Sequence, residues 1–160
     1  MTRQGSFTLL AAVVSPATAS GVPVGISGGA RSLVITWNIT VAERDSANET
    51  YDLYITTSDG VSAWDIVHFP QVITTGAKTF TARVICQGVL PQTITTAAPG
   101  VPVIDSATLA TVTGGLNAIK SLGAGLVRHG PVGTTLSWEL VVAGTVATGI
   151  AHSVSVTVER

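Results

Sequence analysis

From Arg31 to Val41 the chain alternates. Leu33, Ile35, Trp37, Ile39 and Val41 hold one parity, and Ser32, Thr36, Asn38 and Thr40 hold the other together with Val34. A period of two sends successive side chains to opposite faces of an extended strand, so this segment predicts a strand with one buried and one polar face. The same alternation closes the chain, where Ile150, His152, Val154, Val156 and Val158 interleave with Ala151, Ser153, Ser155 and Thr157. Thr135–Val142 places Leu136, Trp138, Leu140 and Val142 on one side. Tyr51, Leu53 and Ile55 mark a further strand, as do Phe80, Ala82, Val84 and Cys86. Near the start, Phe7–Val14 is an uncharged run, Phe-Thr-Leu-Leu-Ala-Ala-Val-Val. Ala17-Thr18-Ala19 after it resembles a signal-peptidase site, but a single leading charge at Arg3 and so short an apolar run fit a first β-strand better. No apolar run approaches the roughly 18 residues that would span a membrane as a helix.

Turn chemistry punctuates the strands. Ser58-Asp59-Gly60 is a strong turn signal, Thr75-Gly76-Ala77-Lys78 and Gln87-Gly88 are weaker ones, and Ala98-Pro99-Gly100 marks a longer loop. One segment has helical spacing, Gly115–Leu126, with Leu116, Ile119, Lys120 and Leu122. Gly123 and Gly125 interrupt it, so a short helix and an irregular loop are equally compatible. Strands recurring at short intervals predict an all-β fold, an antiparallel β-sandwich or barrel with at most one short helix. The 160 residues make one domain, with an N-terminal strand or arm over about residues 1–30 and an insertion over about residues 99–125.

Composition narrows the function classes. Charged residues are 11% of the chain, less than half of the roughly 25% usual for soluble domains. Hydrophobic residues are 46%, so the chain can build a core and does not have the composition of a disordered one. The remaining surface must be largely Thr, Ser, Gly, Ala and Val, which resists association weakly and suits a protein packed against other chains. The net charge is −1 and the eight basic residues are scattered, which argues against a nucleic-acid partner.

Candidate chemistry is sparse. Cys86 is the single cysteine, set in the apolar run Val84-Ile85-Cys86, and reads as a small buried hydrophobe. His68, His129 and His152 lie in no metal-binding spacing. His152 falls on the apolar face of the last strand, as a satisfied core or interface histidine would. Glu43, Asp45 and Glu49 surround Arg44, but the segment lacks the glycine and ligand spacing of a calcium loop and reads as a solvated hairpin loop. Asp59 is explained by its turn, and Asp65 pairs with a neighbour or caps a turn. No nucleophile elbow, phosphate loop or dinucleotide fingerprint occurs, so the expectation is a non-enzyme without cofactor or metal.

Ser58-Asp59-Gly60-Val-Ser-Ala-Trp64-Asp65-Ile66-Val-His-Phe69 resembles a pattern in small virion structural proteins of tailed bacteriophages, roughly DG-x-x-W-x-D-I-x-x-F. Other blocks agree in order: Thr8–Ala11, the strand Leu33–Thr40, the Trp138 strand, the Gly144-Thr145 turn and the closing Ser-Val-Ser-Val-Thr-Val strand. The charged Glu43–Glu49 loop and the Pro99–Gly125 stretch depart from that pattern. Read without the resemblance, Asp-Gly makes a hairpin turn and Trp64, Ile66 and Phe69 fill the core. The resemblance implies a capsid decoration (cement) protein, made in the bacterial host cytoplasm and placed on the outer capsid surface of the virion. Its implied partners are the major capsid protein and further copies of itself, as a trimer, with neither nucleic acid nor membrane. The polar N-terminal segment could reach a neighbouring subunit, which makes Thr2, Arg3, Gln4 and Phe7 the candidate contacts. The alternatives are a tail, baseplate or head–tail connector component and, with less to support it, a carbohydrate-binding or host-recognition module. The latter would need exposed aromatics, and most of the eight in this chain sit at core parity.

Overall fold

The computed structural model describes residues 5–26, 29–86 and 122–160. Ten strands run β1 (Gly5–Ser15), β2 (Ala19–Ser20), β3 (Val24–Gly25), β4 (Ser32–Ala42), β5 (Thr50–Ser58), β6 (Ala63–His68), β7 (Lys78–Ile85), β8 (Leu126–Val127), β9 (Thr135–Ala143) and β10 (Ile150–Glu159). There is no helix among the described residues. A four-stranded sheet has the order β1-β10-β4-β7, and a six-stranded sheet has the order β2-β9-β5-β6-β8 with β3 also on β9. Every pairing is antiparallel. The two sheets pack as a sandwich-like fold, as the alternation predicts.

The predicted parity fills the core. Leu33, Ile35, Trp37 and Ile39 of β4 and Val154 and Val156 of β10 are buried, as are Tyr51, Leu53 and Ile55 of β5 and Leu136 and Leu140 of β9. Trp37 lies with its ring centroid 5.7 Å from Phe69 and 5.6 Å from Phe80. Trp64, Ile66 and Phe69 are buried too, the role the hairpin reading gave them. Asp59 builds that hairpin: its Oδ1 accepts the N–H groups of Val61 and Ser62 at 2.8 and 2.7 Å, while Gly60 takes φ +94°, open to glycine at little steric cost.

One position breaks the alternation. Val41 has the parity of the buried residues but is exposed, and Ala42 is buried in its place. The register explains the switch: Ala151 pairs with Val41 and His152 with Ile39, which leaves Thr40 as the extra residue of a β-bulge. An extra residue reverses the facing of every residue beyond it. A second bulge lies in β6, where Ile55 pairs with Val67 but Thr56 pairs with Asp65. Ile66 is the extra residue there.

The chain closes one side of the sandwich by changing sheets. β1 ends the four-stranded sheet against β10, and after Pro16 the chain crosses to β2 and β3 on β9 of the other sheet. The helical candidate Gly115–Leu126 and the expected insertion over 99–125 lie mostly outside the described residues. Of those that are described, Leu126 begins β8, and its N–H bonds to the Gly123 carbonyl at 3.2 Å. The turn signals at Gln87-Gly88 and Ala98-Pro99-Gly100 also fall outside.

Candidate functional site

Three places gather polar side chains.

The first is the outward face of the six-stranded sheet. β5 and β6 set Tyr54 opposite His68, and the rings stack with centroids 3.9 Å apart. His68 Nε2 lies 2.9 Å from Asp52 Oδ1, and Nδ1 lies 2.7 Å from the Leu122 carbonyl oxygen. Burial alone would raise the Asp52 carboxyl, but hydrogen bonds from His68 and from Gln71 Nε2, the latter at 2.7 Å, hold it below the usual carboxylate range. Asp65 is buried one register step along from this pair and accepts Thr56 Oγ1–H at 3.4 Å. Arg128 is buried as well. Burial lowers its guanidinium pKa, and the charge of Asp65 opposes the drop. Tyr54 is pushed up by burial and by the charges of Asp52, Asp65 and Glu139. Asp52 is thus held by His68 and Gln71, and Asp65 lies within electrostatic reach of Arg128, so these groups are tied largely to partners on their own sheet.

The second is inside the core. Trp37 Nε1–H donates to His152 Nδ1 at 3.1 Å, so the imidazole proton sits on Nε2 and donates to Ser15 Oγ, also at 3.1 Å. This matters because a serine beside a histidine suggests a nucleophile and its base. A base needs a free Nε2 lone pair and an acceptor on Nδ1. Here both are reversed, so His152 cannot take the Ser15 proton in this arrangement. Burial pushes its pKa down to about 4, which keeps the ring neutral. Trp138 meets it edge-on with centroids 6.3 Å apart. It is a core histidine with both nitrogens satisfied, as its parity suggested.

The third is the Glu43–Glu49 loop. Asp45 Oδ2 accepts the N–H groups of Ala147 and Thr148 at 2.8 and 3.0 Å, bonds that lower its pKa and tie the loop to the β9–β10 turn. Glu49 departs from the expected solvated loop. It is 0% exposed, accepts the Asp45 N–H at 2.7 Å, and is hydrogen-bonded by the Tyr51 hydroxyl. The carboxylates therefore spend their acceptors on the chain's own N–H and O–H groups. Among the described residues no group of three His, Cys, Asp or Glu could hold a metal ion.

Remaining candidates are placed as follows. Cys86 is buried, and burial pushes its thiol up to about 11, far from a thiolate at neutral pH. His129 Nδ1 accepts the Ile85 N–H at 3.0 Å, which joins the end of β7 to the segment after β8. A groove of about 330 Å³ over the six-stranded sheet is lined by Pro23 and Ala63 together with Thr56, Ser58, Thr135, Ser137 and Glu139, and its wall is mostly apolar. Trp138 borders it but is only 7% exposed, so no aromatic face is offered to a sugar. Thr2, Arg3 and Gln4 lie outside the described residues. Phe7 sits in β1 opposite Val156, half-buried and packed against the core.

The four-stranded sheet has the opposite exterior. Its outward rows are Ser6, Thr157, Val34 and Arg83, then Thr8, Ser155, Thr36 and Thr81, then Ser153, Asn38 and Thr79, then Val14, Ala151 and Val41. Hydroxyls bond across the strands, Ser6 to Thr157 at 2.9 Å, Thr36 to Thr81 at 3.3 Å and Thr79 to Asn38 at 3.0 Å. Charge is confined to the margins. Arg83 pairs with Glu159 at 2.6 Å, and Lys78 Nζ donates to the Thr74 and Thr75 carbonyls at 3.0 and 2.8 Å. Sequence reasoning expected such a neutral surface from composition but could not place it on one face.

No family model, curated protein or solved structure matches the chain.

Proposed function

We propose that the protein is a structural virion component that decorates and stabilises a phage capsid, binding the outer shell as a homo-oligomer. The observation that supports this reading best is the neutral, hydroxyl- and Val/Ala-covered exterior of the four-stranded sheet, with charge only at its margins. Such a face loses little by desolvation and gains by lasting apolar and hydrogen-bonded contact, whereas steering by charge would call for the reverse. Polar groups elsewhere are turned to internal use, which suits a mechanical role: covering surface that spans several shell subunits so that many weak contacts act together. In this reading the arm that reaches the neighbouring subunit is residues 1–4, ahead of β1, since Gly5 and Ser6 are already paired with Val158 and Thr157 in the sheet.

The test is co-sedimentation of the purified protein with undecorated, expanded shells. Full-length chain should pellet with shells at both low and high salt, because apolar contacts are little screened. A chain lacking residues 1–4, which leaves β1 intact, should fold but pellet less. A full-length chain that never pellets with shells but is recovered in isolated tails would replace decoration by the tail-component reading.

A further inference from the structure

We propose that the open edge of β1 is a self-association surface, where a second copy of this chain adds its own β1 antiparallel. The inference goes beyond the decoration reading and does not rest on it.

It starts from a conflict between sequence and position. Leu9-Leu10-Ala11-Ala12-Val13-Val14 is an unbroken apolar run, the composition of a strand flanked on both sides. Yet β1 ends the order β1-β10-β4-β7. Ala11, Ala12, Val13 and Val14 are exposed in succession. Successive residues point to opposite faces, so among the described residues neither face of the strand is covered there. Val14, 56% exposed, continues across Ala151 into Val41, 44% exposed, as an apolar row at the rim.

Edge strands are ordinarily blunted by charge or proline. From Gly5 to Ser15 there is neither. Bulges between Thr8 and Leu10 and between Leu10 and Val13 do twist the strand, and they divide it into two regular stretches, Gly5–Thr8 and Val13–Ser15. Pairing is expected on those stretches. β7, at the far end of the same sheet, carries Lys78 and Arg83.

The occupant follows from what the edge requires. A fitting strand must be uncharged, apolar on both faces and open-edged. β1 of a second copy meets all three conditions. Two-fold symmetry sets residue i of one copy against residue j of the other and j against i, and since β1 carries no charge no like-charge clash arises. A net charge of −1 puts almost no repulsion between copies. This contact yields two copies per assembly, where the phage resemblance implies three.

Sedimentation equilibrium of the full chain tests it, alongside the variant Val13→Lys/Val14→Lys, whose positions are exposed and lie in a stretch where pairing is expected, and whose fold is checked by circular dichroism. Wild type should approach twice the 16.3 kDa chain mass as concentration rises, and the variant should stay at one. Amide exchange in residues 5–15 of the wild type should slow with concentration. A monomer at every concentration overturns the proposal, as does a three-copy mass, or a dimer indifferent to both lysines. Should the variant misfold, the wild-type exchange profile decides: concentration-independent exchange in β1 overturns the proposal. None of these outcomes bears on shell binding, which is measured separately.

Discussion

On the outside of the four-stranded sheet, Thr36 bonds to Thr81 and Ser6 to Thr157 across open, solvent-facing rows. On the outside of the six-stranded sheet, Tyr54 stacks on His68, His68 is bonded to Asp52, and Asp65 and Arg128 are buried together. Both faces follow from period-two strands with a buried opposite side. They differ in what their outward side chains must satisfy. Hydroxyls bond equally well to each other, to water or to another protein, so a hydroxyl face is adaptable and cheap to cover. Buried charges are costly unless paired, so the charged face is committed to its own partners. One sheet exterior is therefore tied up with partners within the chain, and the other is left free to be covered.

The largest effect expected is on the committed face. Asp65→Ala leaves Arg128 buried beside a missing charge and should cost about 3–5 kcal/mol in urea unfolding. Asp65→Ala combined with Arg128→Met should recover much of that loss. If the single variant cost no more than an average surface substitution, the six-stranded exterior would not be structural and the contrast between faces would collapse.

A somewhat smaller effect concerns the core between the faces. His152 has a folded pKa of about 4 against an ordinary 6.5. The unfolded chain therefore binds its proton first as pH falls, and stability drops from about pH 6.5 down to about 4, by up to about 3 kcal/mol. Above pH 6.5 this group contributes no slope. Thermal unfolding followed across that window checks it, with His152→Asn expected to flatten the curve. The lowered carboxyls of Asp45, Asp52 and Glu159 act below the ordinary carboxylate range and so at the acid end of the same scan.

Much of this was legible from periodicity. Leu33, Ile35, Trp37 and Ile39 announce their buried face, and Asp59-Gly60 announces its turn, because both signals are local. Val41 was not legible, since a bulge at Thr40 depends on the register against β10. Glu49 was read as solvated because nothing local shows that Tyr51 and Asp45 close over it. The Ser15–His152–Trp37 chain joins residues 137 and 115 positions apart, a distance no spacing motif spans. The polar exterior of the six-stranded sheet escaped for the same reason: Asp52, Asp65 and Arg128 come from three separate segments.

The smallest effect is on the adaptable face. Thr36→Ala removes one long, half-buried hydroxyl bond and should change stability by no more than about 0.5 kcal/mol. Chemical denaturation reads it. A larger loss would mean that the hydroxyl rows hold the sheet together.

The claim that the neutral exterior is the recognition surface is tested most directly by placing one kind of charge on each face and measuring shell binding. Thr36→Lys/Ser155→Lys alters the four-stranded exterior, and Thr135→Lys/Ser137→Lys alters the six-stranded one. With each variant folded by circular dichroism, co-sedimentation with expanded shells should fall sharply for the first pair and stay near wild type for the second. Loss confined to the second pair, with the first binding normally, would contradict the account.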